Sequence, residues 1–123
     1  MGILGASALP VIELKPKRRF YDYKAKYTKG LTEYLAPAPI SKSLKIRLQK
    51  LALKTHRTLG LSDFSRVDFK VDQNQNPYVL EANSIPGFTE TSLVPKAAQC
   101  AGLSFQDLCL YLLTQAMRKR KKI

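Results

Sequence analysis

Several chemistries are excluded by what this chain has little of. Its 123 residues hold two cysteines, one histidine, and nine Asp and Glu against twenty-one Lys and Arg. Cys100 and Cys109 fall in no C-x-x-C or metal-ligand spacing. That excludes a thiolate metal centre or a disulfide framework, and each is expected to be a buried free thiol in a helix. No apolar run approaches the roughly 18–20 residues of a membrane span. The start lacks the basic region and sustained apolar core of a signal peptide. The chain therefore reads as soluble and cytoplasmic. No internal repeat is present. The scarcity of acids leaves a net charge of +12. That charge favours anionic partners such as nucleic acid, acidic lipid or phosphates.

What is present suits one folded domain, with an ordinary 45% of hydrophobic residues. Gly2 to Leu4 and Val11 to Leu14 read as short strands joined by a turn over Gly5 to Pro10. Lys15 to Arg19 is a basic exit. Tyrosines and lysines then interleave from Phe20 to Lys29, and Gly30 is placed to act as a hinge. Pro37 and Pro39 make Leu35 to Ile40 extended. Ser41 or Ser43 caps a helix that runs to about Leu59 and stops at Gly60. Its buried stripe is Leu44, Leu48, Leu51, Ala52, Thr55 and Leu59. Arg47, Lys50, Lys54 and Arg57 form its wet face, and His56 is expected at the surface without a partner. Thr91 or Ser92 caps a short helix from Leu93 to Ala101, with Pro95 in its first turn and Gly102 at its end. Ser104 to Asp107 resembles a capping box opening the last helix, whose apolar stripe is Phe105, Leu108, Leu112 and Ala116. A basic tail, 118–123, follows as an extension of that helix or a disordered end, with cations suited to a helix C-terminus.

The stretch with chemistry in it lies between those helices. Arg66 to Asp72 and Tyr78 to Asn83 read as two strands joined by the polar turn Gln73-Asn74-Gln75-Asn76-Pro77. Alternation puts Arg66, Asp68 and Lys70 on one face of the first strand and Val67, Phe69 and Val71 on the other. In the second, Tyr78, Leu80 and Ala82 share one face, and Glu81 and Asn83 the other. A hairpin symmetric about Asn74 and Gln75 sets Asp68 opposite Glu81 and Arg66 opposite Asn83. Opposed side chains have Cβ atoms about 4.5–5.5 Å apart. Two carboxylates at that range repel by roughly 3 kcal/mol at an effective dielectric near 20. A bound cation explains the pair, and two carboxylates with an amide oxygen suit Mg²⁺ or Mn²⁺ rather than zinc. The bland alternative is a wet sheet face whose acids are balanced by Arg66 and Lys70.

A family resemblance enters at this point. Arg66-Val67-Asp68, Leu80-Glu81-Ala82-Asn83, Pro86-Gly87 and Thr91-Ser92-Leu93-Val94-Pro95, in that order, resemble the C-terminal part of a D-alanine–D-alanine ligase, an ATP-grasp enzyme. Phe20 to Tyr27 is similar to that family's active-site loop. The Asp…Glu-x-Asn triplet is shared by many ATP-grasp enzymes, whereas the tyrosine-rich loop and the Ser-Leu-Val-Pro turn are narrower. The resemblance runs from about Ile3 to Ala116 and implies an α+β fold, a mainly antiparallel sheet with flanking helices.

It also implies a reaction and roles. ATP phosphorylates the carboxylate of one D-alanine, and the amine of a second attacks the acyl phosphate, in peptidoglycan precursor synthesis. By position, Asp68, Glu81 and Asn83 hold two Mg²⁺ or Mn²⁺ ions. Arg66 and the backbone N–H of Gly87 stabilise the oxyanion. Ser92 and the N–H of Leu93 receive the second D-alanine's carboxylate. Lys26 contacts the transferred phosphate, and Tyr27 holds the loop closed over ATP. The singly competing structural roles are Ser92 as a plain cap, Gly87 as a turn residue and Arg66 as a sheet-face ion pair. Lys17-Arg18-Arg19 and Ser84 depart from the family pattern. Residues 1–117 are thus expected to be the C-terminal segment of an ATP-grasp ligase domain. The N-terminal and central domains of that family, or a homodimer partner, would be needed, and the chain alone is expected to be weakly active or inactive. The alternatives are another ATP-grasp carboxylate-amine ligase and a basic nucleic-acid-binding module, the latter disfavoured.

Overall fold

A computed structural model describes residues 1–17, 30 and 32–120. Chain order is β1 (Gly2–Leu4), β2 (Ser7–Ala8), β3 (Glu13–Pro16), β4 (Thr32–Leu35), α1 (Lys42–Thr58), β5 (Phe64–Val71), β6 (Pro77–Asn83), α2 (Leu93–Cys100) and α3 (Phe105–Arg120). Four strands form an antiparallel sheet in the order β2-β1-β5-β6, and β3 pairs with β4 in a separate antiparallel ribbon. This is the α+β architecture anticipated from the sequence.

A hydrophobic cluster packs against each side of the sheet around β1 and β5, while most of β6 stays exposed. On one face Ile3 and Val67 meet Ala52 of α1, with Leu53, Phe69 and Ala82 around them. On the other, Val94, Ala97 and Ala98 of α2 join Leu9 and Leu108 of α3 in a second cluster, flanked by Leu4 and Phe88. Gly2 sits under α2: a Cβ there would lie 3.0 Å from Leu9 Cδ1 and 3.6 Å from Val94 Cγ2. The missing side chain lets the helix come down onto β1, and α2 follows directly from the loop after β6.

Helix α1 starts where Ser41 accepts a hydrogen bond from the Leu44 N–H at 3.2 Å, and its C-cap is Leu59. Its buried residues are Leu44, Leu48, Ala52 and His56. Two expectations fail here. Leu59 is 59% exposed rather than part of the stripe, because the helix has ended and Gly60 turns the chain away at φ +64°. His56 is only 4% exposed, and its Nδ1 lies 2.7 Å from the Oγ of fully buried Ser65 on β5. Its place four residues after Ala52 puts it on the core side, and Ser65 supplies the polar partner that burial demands. Burial, reinforced by Arg57 and opposed by Asp63, holds its pKa below the usual imidazole value.

Three smaller corrections follow. The turn expected over Gly5 to Pro10 contains β2. The strand expected at Val11 to Leu14 starts two residues later, at Glu13, and runs into the basic exit as far as Pro16. Cys100 is exposed and Cys109 half-buried, both free, because neither falls on the core side of its helix. Arg118, Lys119 and Arg120 lie inside α3, and Lys119 Nζ donates to Asp63 Oδ2 at 2.7 Å and Ser62 Oγ at 2.8 Å. The start of the basic run is therefore helical and clipped to the loop before β5. Among the described residues no helix is long and apolar enough to cross a membrane.

Candidate active site

The β5–β6 hairpin pairs Arg66 with Asn83, Val67 with Ala82 and Asp68 with Glu81. The anticipated quartet therefore meets on one face. The route to it differs from the symmetric hairpin. Nearer the turn the partners are Phe69–Val79, Lys70–Tyr78 and Val71–Pro77, and the ladder shifts by one residue between Asp68 and Phe69. Leu80 is the extra residue, a β-bulge. Had the turn-side pairing continued without it, Asp68 would oppose Leu80 and Glu81 would oppose Val67, on the core face. The bulge is what keeps Glu81 beside Asp68. It also corrects the reading of Tyr78, which lies on the Asp68 face opposite Lys70 rather than sharing a face with Ala82.

Within the quartet the contacts are short. The Arg66 guanidinium donates from Nε to Asp68 Oδ1 at 2.8 Å and from Nη2 to Asp68 Oδ2 at 2.9 Å, a fork on one carboxylate. The same Nη2 lies 3.7 Å from Glu81 Oε1. Asn83 Nδ2 donates to Glu81 Oε1 at 3.0 Å. The acids are thus balanced by Arg66 rather than by Lys70. Among the described residues no group of three or more His, Cys, Asp and Glu is placed to share a metal ion, and the amide oxygen of Asn83 is the further hard donor paired into this register. Two carboxylates and an amide, with no sulfur or imidazole, fit a hard divalent cation.

The loop after β6 leads to α2 and builds a second cluster. Ser92 is the N-cap by backbone geometry, at φ −70° and ψ 159°, yet makes no side-chain cap bond. Its Oγ instead accepts from the Thr89 N–H at 3.0 Å and lies 2.8 Å from Thr89 Oγ1. Ser92 is thus the cap by its backbone, with its hydroxyl turned to Thr89 instead of to the helix N–H groups. The first turn of α2 keeps the Leu93 and Val94 N–H groups as donors, while Pro95 has none. A Cβ on Gly87 would come within 3.3 Å of Ser92 Oγ, so a bare backbone at Gly87 leaves that hydroxyl its place. Thr89 was not singled out from the sequence; its Thr-x-x-Ser spacing ahead of a helix is the signal that marks it.

A cleft of about 1020 Å³ is lined by Arg66, Asp68, Leu80, Glu81, Leu93 at the head of α2, and Ile12 to Leu14. Its walls mix charge with apolar surface, as small-molecule sites do. At the far end of the hairpin Asp72 organises the turn. It accepts from the N–H groups of Asn74 (2.9 Å) and Asn76 (2.8 Å). The Asn76 backbone bond is the leading cause that holds its pKa below the usual carboxylate value. Lys26 and Tyr27 lie outside the described residues.

An antiparallel sheet packed with helices, with two acids, an amide and an arginine paired on one face beside a cleft, defines an α+β unit with a polar, charged site. Comparison makes this specific. The family model described as "D-ala D-ala ligase C-terminus" matches residues 1–114, and the chain belongs to that family. It is 50% identical over 113 residues to the D-alanine–D-alanine ligase of Methylacidiphilum infernorum, covering 92% of this chain and 37% of that one. It is 47% identical to the ligase of Carboxydothermus hydrogenoformans, over 98% of this chain and 40% of that one. Among solved structures, the D-alanine–D-alanine ligase of Bacillus anthracis complexed with ATP superposes with a TM-score of 0.81 at 34% identity, over 98% of this chain and 39% of that one. The VanG D-Ala:D-Ser ligase of Enterococcus faecalis gives 0.77 at 33% identity, over 92% and 34%. The chain thus spans about two fifths of the length of these relatives.

Proposed function

We propose that this chain is the part of a D-alanine–D-alanine ligase that presents the divalent cations and the second substrate to the reaction, in the cytoplasmic synthesis of peptidoglycan precursors. The observation that carries the reading is the register that brings Asp68, Glu81 and Asn83 together with Arg66 on the cleft face. Asp68, Glu81 and Asn83 would hold two Mg²⁺ or Mn²⁺ ions. Bound there, they would neutralise the phosphate charge of ATP. The chain's own groups do the rest by placement. Arg66 and the Gly87 N–H face the carbonyl oxygen that gains charge when the second D-alanine's amine attacks the acyl phosphate. Ser92 and the Leu93 N–H take that substrate's carboxylate, an anion suited to a helix N-terminus. Lys26 and Tyr27 belong to the loop that closes over ATP. Residues 1–117 form the ligase segment and 118–123 a basic appendage to it. The first D-alanine and most of the adenine are left to the domains that the relatives carry in their remaining three fifths.

The test is a graft of residues 1–117 in place of the matching segment of the Bacillus anthracis ligase. D-alanine-dependent ADP release is expected from the graft. It should be lost on Asp68→Asn or Glu81→Gln and absent from the isolated chain. A folded graft that keeps its activity with Glu81→Gln refutes the metal assignment, and robust turnover by the isolated chain refutes its dependence on the missing domains. A second reading has its own support. The likeness to a D-Ala:D-Ser ligase at 33% identity makes D-serine a competing second substrate. Supplying D-serine with D-alanine to the same graft separates the two.

A further inference from the structure

We propose that Arg66 is a resident counter-cation of the ion site, released from Asp68 only when a divalent cation takes its place, so that ion loading frees the arginine for its work on substrate. This rests on the metal reading above and adds an order of events to it.

The argument starts from the oxygens. Both Asp68 oxygens are engaged by the Arg66 fork, at 2.8 and 2.9 Å. Glu81 Oε1 receives the Asn83 amide at 3.0 Å and faces Arg66 Nη2 at 3.7 Å. One guanidinium thus stands between the two carboxylates that would otherwise repel across the ladder, and it uses the atoms that an ion needs. Arg66 is pinned in this pose. Its side chain is 14% exposed, and it leaves β5 two residues before Asp68, on the same face. A partly buried fork of this kind is among the stronger side-chain bonds.

While Nε and Nη2 are committed to Asp68, the guanidinium cannot offer that same edge to an oxyanion. A divalent cation brings twice the charge to the same oxygens. It both satisfies the acids and repels the guanidinium at short range. Arg66 then points away from Asp68, into the cleft that its own lining residues share with Leu93. Without the ion the arginine stays folded onto its own strand, and the site holds its acids together at no net cost in repulsion.

Two measurements on the chain as it stands test this. The first follows the Arg66 Nε–H resonance by ¹H–¹⁵N NMR as Mg²⁺ is added. The second compares Mn²⁺ affinity, by water-proton relaxation, between the wild type and Arg66→Met. The proposal expects the Nε–H resonance to shift and exchange faster with water as Mg²⁺ saturates. It expects Arg66→Met to bind Mn²⁺ about tenfold more tightly, since one charge-assisted fork no longer competes. Arg66→Lys keeps the charge and loses the fork, and should recover part of the gain. An unmoved Nε–H at saturating Mg²⁺, or equal Mn²⁺ affinity in wild type and Arg66→Met, overturns the displacement and leaves the ion site standing. No saturable Mn²⁺ binding by either protein removes the ion site and the proposal together.

Discussion

Acidification should strip stability from this fold through His56. The imidazole is buried between α1 and β5 with Nδ1 2.7 Å from Ser65 Oγ, and burial depresses its pKa. The unfolded chain therefore binds this proton more readily than the folded one. Stability from the neutral ring is complete above the unfolded value of about 6.5 and falls as pH drops through and below it, towards the lower folded value. Ser65→Ala removes the partner and leaves a buried nitrogen unsatisfied, at a cost of roughly 1–3 kcal/mol. That is a large share of the roughly 5–15 kcal/mol that holds a domain together. In urea it moves the midpoint by about 1 M for an m-value of roughly 1–3 kcal/mol per M. The assay is urea unfolding of wild type, His56→Gln and Ser65→Ala at pH 7.5 and 5.5. The wild type should lose more stability on acidification than His56→Gln. The Met1 α-amino group titrates in the same range. Burial, opposed by Asp68 and aided by Arg66, lowers its pKa to about 6. It does so in both proteins and drops out of the difference. Equal acid losses in the two, together with a Ser65→Ala midpoint unchanged from wild type, would refute the buried-pair account.

Three further perturbations probe other parts of the molecule. Leu108→Ala empties a fully buried site among Leu9, Val94, Ala97 and Ala98, and should lower unfolding free energy by roughly 3–5 kcal/mol in the same titration. Ser41→Ala removes the hydroxyl that accepts the Leu44 N–H, and should cost about 1 kcal/mol, read as a lower thermal midpoint. Gly87→Ala sets a methyl 3.3 Å from a Ser92 hydroxyl already engaged by Thr89, and should cost roughly 1 kcal/mol. In the grafted ligase it should raise KM for the second substrate more than it lowers kcat.

The acid pair was legible because strand alternation and a polar turn are short-range signals, and together they set Asp68 opposite Glu81. The bulge was not. Nothing in Tyr78-Val79-Leu80 marks which residue drops out of the ladder, so the right pair was reached through a hairpin whose inner half was misaligned. His56 shows the same limit from the other side. It was expected at the surface because no polar partner lies near it in the sequence; the group that makes its burial tolerable is Ser65, supplied by another element. Strands β2 and β4, two and four residues long, are held by pairing partners rather than by any periodicity of their own. Ser92 was placed correctly at the head of α2, but its hydroxyl faces Thr89, a choice between two local bonds that spacing alone does not decide.

The extra residue in β6 has a consequence for comparing such hairpins. Twelve residues separate Asp68 from Glu81. A regular hairpin with an even-numbered turn spans that count just as well as this one, with its five-residue turn and its irregularity at Leu80. Two relatives can therefore align here without a gap and still differ in shape. In the regular form Leu80 would oppose Phe69 and leave the cleft, and Tyr78 would move to the opposite side of the sheet. Transplanting a turn of equal length between family members can thus reshape the turn side of the cleft while Asp68, Glu81 and Asn83 stay in place.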